Sequence, residues 1–297
     1  MEKVIAIVGP TAVGKTALSI VIAKALGGEI VSADSRQVYC GLDIGTGKAT
    51  PAEREGVAHH LIDVADPREV FSAADYVRLG RAAISDIAAR GHVPIVVGGT
   101  GFYIDTLLGR MTLAEVPPDP ELRDELGRLN LPELREKMKA LDPKRYRQID
   151  IKNRRRLERA IEIASSPRDE KCIIYDTPQY QGRWIGLSLP LPDLAERIRT
   201  RLTRRLGIGM LQEAQKLLTE GLSYRRMDEL GLEYRYMARH LIGTISYNEM
   251  IEQLEKEIVA YAKRQMTWFK KNKEIQWFPP DDFQKCTAYV KEWYGKG

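Results

Sequence analysis

Residues 9–16 read Gly9-Pro10-Thr11-Ala12-Val13-Gly14-Lys15-Thr16, the pattern G-x-x-x-x-G-K-[ST]. The pattern follows an apolar run, VIAIVG, and opens a helical one, KTALSIVIAKAL, which is the context a phosphate-binding loop requires. The glycines let the loop wrap until backbone N–H groups converge on phosphate oxygens, and the helix N-terminus adds partial positive charge. Lys15 supplies a mobile cation, and the Thr16 hydroxyl suits Mg2+. Such a cradle does not say whose phosphates it holds. An ATPase or GTPase usually has a second apolar strand ending in an Asp that supports the metal. Here the strand candidate VPIVVGG ends in Gly98-Gly99-Thr100-Gly101, and there is no Asn-Lys-x-Asp guanine signature. The loop can therefore hold a diphosphate that leaves, not a triphosphate that is hydrolysed.

A second group of residues follows the cradle. SADSRQVY places Ser, Asp34, Ser35, Arg36 and Gln37 together at the end of the apolar run EIVSAD. In an open α/β sheet, ligands bind beyond the carboxyl ends of the strands. Gly9, Asp34 and Gly98–Thr100 all follow strand candidates, so all three can open onto one crevice, with Asp34 facing the cradle. A turn-capping role for Asp34 is the alternative.

The elements that must position these residues alternate through the first hundred positions. VIAIVG (4–9), EIVSAD (29–34) and VPIVVGG (93–99) read as buried parallel strands, separated by the helical patterns 15–26 and 72–90. WIGLSLP (184–190) is a further strand candidate and EIQWF (274–278) a weaker one. The expected fold is α/β, a P-loop NTPase-like parallel sheet core with helices on both faces. Residues 112–182 are charge-dense and helical between the breaks EVPPDP and SSPRDEK, and read as a helical insertion domain. The core is then 1–111 and 183–297, with a largely helical C-terminal part.

Composition narrows the class. With 46 Lys and Arg against 41 Asp and Glu the net charge is +5, and hydrophobic content is 43%, ordinary for a soluble chain. Three scattered cysteines, Cys40, Cys172 and Cys286, exclude a disulfide framework and a compact zinc module and suit a reducing cytosol. No signal peptide and no apolar run long enough to cross a membrane is expected, so the chain reads as cytoplasmic. Charge is concentrated in KNRRRLER (152–159), RIRTRLTRR (197–205) and KRQMTWFKKNK (263–273), each with five Lys or Arg. Three such runs point to a polyanionic partner, against the plainer reading of solvated helix faces. His59 and His60 lack a paired ligand set and read as structural.

Taken in order, GPTAVGKT, SADSRQVYCGLDIGTGK, HHLIDV, FSAADY, VVGGTGFYI, NRRRLERAIE and YAKRQMTWF resemble the bacterial tRNA dimethylallyltransferases, also called tRNA isopentenyltransferases. The matching stretches run from the N-terminus to about residue 272. The resemblance implies transfer of the dimethylallyl group from dimethylallyl diphosphate to N6 of the adenosine immediately 3′ of the tRNA anticodon. The cradle would hold the diphosphate and Asp34 would face the incoming amine. Breaking the carbon–oxygen bond requires that the departing diphosphate carry extra charge, which loop amides, Lys15 and Mg2+ on Thr16 are placed to stabilise. The N6 amine turns acidic only once it bonds to carbon, and a carboxylate of ordinary acidity is then a competent base.

The resemblance also implies that Asp34, Ser35, Arg36, Gln37 and Thr100 meet the tRNA nucleotide, with Arg123 in PELRDEL. Thr100 can hold the amine or Asp34, or cap the helix beginning at Gly101. Further tRNA contacts fall on Arg155, Arg156, Leu157, Glu158 and Arg159. Lys152, Arg155, Arg156 and Arg159 form one helical face opposite Leu157, Ala160, Ile161 and Ala164, an apolar side to pack and a basic side for phosphate. Arg197, Arg201 and Arg204 or Arg205 recur at helical spacing and suit either RNA or diphosphate; Arg201 is assigned to diphosphate. Trp268 and Trp277 read as core rather than stacking platforms. The expected partners are the tRNA anticodon stem-loop, whose bases are already partly unstacked, and dimethylallyl diphosphate, met by a monomer. The rival reading is a nucleotide or polynucleotide kinase using ATP, with Asp34 activating a hydroxyl.

Overall fold

The computed structural model describes residues 1–114, 116, 119–166 and 180–295. The chain forms two compact units, Met1–Arg110 with Pro178–Gly297, and Met111–Thr177. The break expected at SSPRDEK lies, from Pro167 onward, outside the described residues, as does Cys172.

Among the described residues of the larger unit six strands form one sheet, β1 (Glu2–Val8), β2 (Gly28–Ala33), β3 (His59–His60), β4 (Val93–Gly98), β5 (Tyr180–Leu187) and β6 (Gln276–Phe278). Their order is β3-β2-β4-β1-β5-β6 and every pairing is parallel. The sequence forms these strands because its apolar runs are dry on both sides. Ile5 and Ile7 join a cluster with Leu18 and Ile22 of α1 (Lys15–Leu26), while Val4, Ala6 and Val8, pointing the other way, are equally buried. α3 (Ala73–Ala89) begins with a capping box, in which Ser72 accepts from Asp75 N–H and the Asp75 side chain accepts from Ser72 N–H. β6 is shorter than the EIQWF run, and β3 is a two-residue strand where only a structural HH pair was expected.

α2 (Pro51–Arg54) and α4 (Gly101–Leu107) complete the first half. α9 (Leu191–Gly207), α10 (Met210–Thr219), α11 (Tyr224–Leu230), α12 (Leu232–Leu241), α13 (Tyr247–Phe269) and α14 (Phe283–Tyr294) make up most of the C-terminal part. No helix among the described residues is long and apolar enough to cross a membrane.

The smaller unit packs α5 (Pro120–Arg128), α6 (Leu131–Leu141), α7 (Pro143–Tyr146) and α8 (Arg154–Ser165) around its own core of Leu126, Leu134, Met138, Leu157, Ala160 and Ile161. Arg154 satisfies the otherwise open C-terminus of α5, donating to the carbonyls of Leu129 and Leu126 at 2.7 Å each.

An ion cluster fastens the edge of the sheet. Glu29 of β2 receives Arg90 from the end of α3 (Nη2–Oε2 2.8 Å) and meets His60 of β3 at 2.7 Å. Hydrogen bonding from Arg90, against the opposing effect of burial and with help from His60, holds the Glu29 carboxyl down at about 2. An acid held below its unfolded value stabilises the fold above that value, and the contribution is lost as pH falls from about 4.5 toward about 2. Arg90→Met should therefore lower the urea midpoint at neutral pH, with the gap from wild type closing as pH approaches 3. A gap of constant size across that range would contradict the assignment.

Candidate active site

The register of the sheet lines up three strand ends. Val8 stands opposite Gly98, and Gly98 opposite Ala33, across the adjacent strands β1, β4 and β2. The residues that follow, Gly9, Gly99 and Asp34, therefore emerge side by side. A cavity of about 770 Å³ opens there, lined among others by Thr11, Lys15, Thr16, Asp34, Gly99 and Arg201.

The phosphate loop is shaped by its backbone. Gly14 has φ +107° as the residue preceding α1, a left-handed conformation that costs glycine little. α1 has no side-chain cap and no acidic residue in its first turn, which leaves its N-terminal N–H groups to an anion. Val13 is fully buried, so it offers the site backbone only. Lys15 Nζ donates to the Pro10 carbonyl at 2.7 Å. Burial pushes its ammonium down to about 7, opposed by the charge of Asp34 and assisted by that of Arg201.

Asp34 caps its turn and lines the cavity at once. Its Oδ1 accepts from the N–H groups of Arg36 at 2.8 Å and Gln37 at 3.3 Å, which fixes the carboxylate's direction. The two readings weighed from the sequence are thus compatible. Gln37 reaches on to the carbonyls of Thr46 (3.4 Å) and Gly47 (3.3 Å), tying Asp34's turn to the 41–50 loop. Arg36 lies against Gly231. The Thr100 hydroxyl accepts from Ser35 N–H at 3.1 Å and makes no helix cap, so the capping role considered for it is not the one it has.

Arg201 lines the same cavity and donates to the Gly47 carbonyl at 3.4 Å; burial lowers its pKa. Its neighbours in the basic run are otherwise engaged. Arg205 is buried, donating to Ile44 O at 2.6 Å and pairing with Glu233 at 3.3 Å, and Arg197 pairs with Asp281 at 3.4 Å. Glu213 accepts from three successive N–H groups, Asp43, Ile44 and Gly45, at 2.9, 2.7 and 2.8 Å, and holds the loop against α10.

In the smaller unit, Glu162 is buried and binds both Arg123 (Nε–Oε1 2.8 Å) and Arg159. Burial raises the Glu162 carboxyl, but the hydrogen bonds of Arg123, Asp119 N–H and Arg159 outweigh it and leave it below its ordinary value. Arg159 also donates to Val116 O at 2.7 Å. Its guanidinium is therefore turned into an internal network instead of standing on an open basic face. Leu157 is fully buried in the core of this unit, on the apolar side of the helix that was expected to pack. Glu158 pairs with Arg154 at 2.7 Å. Lys152, Arg155 and Arg156 are exposed, although Lys152 precedes the helix.

One face of α13 escaped the sequence reading. Tyr261, Gln265 and Trp268, spaced i, i+4, i+7, lie along the Gly99-Thr100-Gly101 segment. Gln265 meets Gly99 and Trp268 meets Gly101 so closely that a Cβ on either glycine would lie 2.2 Å from them. Trp268 Nε1 donates to Asp105 at 2.7 Å, and the Tyr261 phenol is set beside Thr100. Burial, aided by the Asp34 charge, pushes that phenol up to about 12. The spacing was visible in YAKRQMTWF, but nothing in one sequence says which loop a helix face meets.

A glycine-rich loop that opens a helix and an acid that leaves the neighbouring strand end share one crevice of a parallel sheet, the arrangement of a P-loop α/β protein. The comparisons narrow the class. The profile of the IPP transferase family matches residues 37–272, beginning just after the cradle and Asp34. The chain is 43% identical to a tRNA dimethylallyltransferase of a Roseiflexus species over 99% of both chains. It is 39% identical to that of Geobacillus thermodenitrificans over 98% of this chain and 95% of the relative. Among solved structures, the tRNA isopentenylpyrophosphate transferase of Bacillus halodurans superposes with TM-score 0.74 at 37% identity, covering 100% and 96%. A eukaryotic dimethylallyltransferase acting on tRNA gives TM-score 0.79 at 26% identity, covering 99% of this chain and 78% of that one. The chain belongs to the IPP transferase family.

The state of Lys15 generates a prediction. A bound diphosphate restores the ammonium that burial discourages, so binding near pH 8 should take up on the order of one proton more than in Lys15→Arg, whose side chain stays charged. The excess should shrink near pH 6, where Lys15 is already protonated. Calorimetry with magnesium diphosphate in buffers of different ionisation enthalpy measures it; equal uptake by the two proteins would contradict the assignment.

Proposed function

We propose that this protein transfers the dimethylallyl group of dimethylallyl diphosphate to N6 of the adenosine immediately 3′ of the anticodon in tRNA. One observation carries the reading: the phosphate loop and Asp34 share one cavity because β1, β2 and β4 end in register, with Thr100 behind Asp34's turn. Family membership and the names of the relatives supply the substrate class.

The cradle amides, Lys15 and Arg201 hold the diphosphate and stabilise the charge it gains as the bond between its oxygen and prenyl carbon 1 breaks. Asp34, held by the N–H groups of Arg36 and Gln37, accepts a hydrogen bond from the N6 amine and orients its lone pair. As the N6–carbon bond forms, the nitrogen becomes cationic and its proton passes to Asp34. The products are N6-isopentenyladenosine and diphosphate. Thr100 sets the turn that carries Asp34 by accepting from Ser35 N–H.

Hard oxygen donors on the cavity wall include Thr16, Ser32 and Asp34, and among the described residues no three His, Cys, Asp or Glu gather to cage a metal, which suits Mg2+ shared with a diphosphate. When bound, the ion would neutralise part of the leaving group's charge, with the Thr16 hydroxyl as its protein ligand. The exposed Lys152, Arg155 and Arg156 of the helical insertion domain meet the phosphates of the anticodon stem-loop. Every group the reaction uses comes from one chain, so a monomer in the cytoplasm suffices.

Unmodified tRNA with prenyl-labelled dimethylallyl diphosphate should acquire label, and Asp34→Asn should lower kcat by about 10²–10⁴-fold with the donor KM little changed. Labelling of the RNA from the γ-phosphate of ATP, with none from the prenyl donor, would make the protein a kinase and defeat the reading.

A further inference from the structure

The mechanism makes no use of one buried polar side chain that touches both halves of the site. Gln265, only 6% exposed on α13, accepts the Thr11 N–H of the phosphate loop on Oε1 at 2.8 Å. Its Nε2 donates to the Gly99 carbonyl at 2.9 Å, one residue before Thr100. Both partners are backbone groups of fixed polarity, one donor and one acceptor. An amide oriented this way round satisfies both, whereas a hydrocarbon or an ionised carboxylate does not.

We propose that Gln265 is a positioning residue that locks the phosphate cradle to the Gly99–Thr100 segment, so that donor and acceptor sites are set as one rigid unit. Three observations converge on it. The loop residue it holds, Thr11, lines the cavity, as do Gly99 and Gln265 itself. Thr11 N–H is committed to Gln265, so the diphosphate is held by the remaining loop amides and the start of α1, with Thr11 acting as their anchor. Gly99 is a glycine because the amide occupies the place of a side chain: a Cβ there would lie 2.2 Å from Nε2. The same segment continues to Thr100, whose hydroxyl accepts from Ser35 beside Asp34. A continuous path, Thr11–Gln265–Gly99–Thr100–Ser35, thus links leaving-group binding to the placement of the acid. The inference rests on the prenyl-transfer reading for its acceptor half only; the donor half concerns diphosphate alone.

Gln265→Met preserves length and apolar volume while deleting both hydrogen bonds. Gly99→Ala should act through the same contact, by pushing the amide aside. With magnesium diphosphate as the calorimetric probe, Gln265→Met should bind about 10-fold more weakly or worse, as the loss of a buried bridging amide implies. In turnover, kcat/KM for dimethylallyl diphosphate should fall by at least the same factor, while tRNA affinity measured without donor changes less than about twofold. The double variant Gln265→Met/Gly99→Ala should be no worse than the more severe single one, since both break one link. Gln265→Glu should recover relative to wild type at the same pH as the pH is lowered, because its protonated carboxyl can again donate to Gly99 O.

A Gln265→Met protein with lowered melting temperature but wild-type diphosphate affinity and kinetics would show a merely structural role and overturn the proposal. Additive losses in the double variant would overturn it as well. Wild-type protein that binds diphosphate but transfers no prenyl group would sink the transfer reading instead, leaving the binding arm to decide the donor half.

Discussion

Val8, Gly98 and Ala33 stand in one row across three parallel strands, and the chemistry depends on that row. Neighbouring strands are separated by about 4.8 Å, so the loops leaving their ends must share a small space. The space is made available by what is missing from the middle strand: a Cβ on Gly98 would lie 2.1 Å from the Ala33 carbonyl oxygen. A phosphate loop leaves β1, an acid leaves β2, and a glycine-threonine segment leaves β4 between them. Sequence separations of about 25 and 65 residues collapse into neighbouring positions because the sheet inserts β4 between β1 and β2.

Around that row the protein uses side chains of later helices to fix loops that have no regular structure. Glu213 and Arg205 grip the 43–45 backbone from α10 and α9, Arg201 reaches Gly47, and Gln265 and Trp268 close on the glycines after β4. Backbone groups in such loops must be paired when buried, and distant side chains supply the partners. On the proposed reading, a departing diphosphate would gain charge within a site whose donors are already oriented, with little reorganisation in the step.

Much of this was legible in the sequence because it rests on local rules. The loop at 9–16, the helix after it and the buried strands are specified by glycine placement and by apolar runs of strand length. α3 begins with its capping box at Ser72, as a helix expected over 72–90 requires. Other features depend on which surfaces meet. The runs at 152–159 and 197–205 looked alike, yet Arg159 and Arg205 are bound to Glu162 and Glu233 while Arg155 and Arg156 are exposed. Leu157 lay within the run expected to meet RNA, and a helical wheel put it on the apolar side, where the core claims it. The Gln265 bridge was invisible, because a lone glutamine in a helix carries no sign of its partners. Its counterpart, the glycine pair flanking Thr100, leaves room for the side chains of α13.

The central claim is that the cradle and Asp34 address two ends of one reacting bond. The most direct test is a crystal structure of the Asp34→Asn protein with magnesium and dimethylallyl diphosphate. The account predicts the diphosphate on Lys15, Thr16 and the loop N–H groups, with prenyl carbon 1 turned toward residue 34, leaving room between them for one amine. A diphosphate bound away from Lys15, or a prenyl chain pointing away from residue 34, would contradict it.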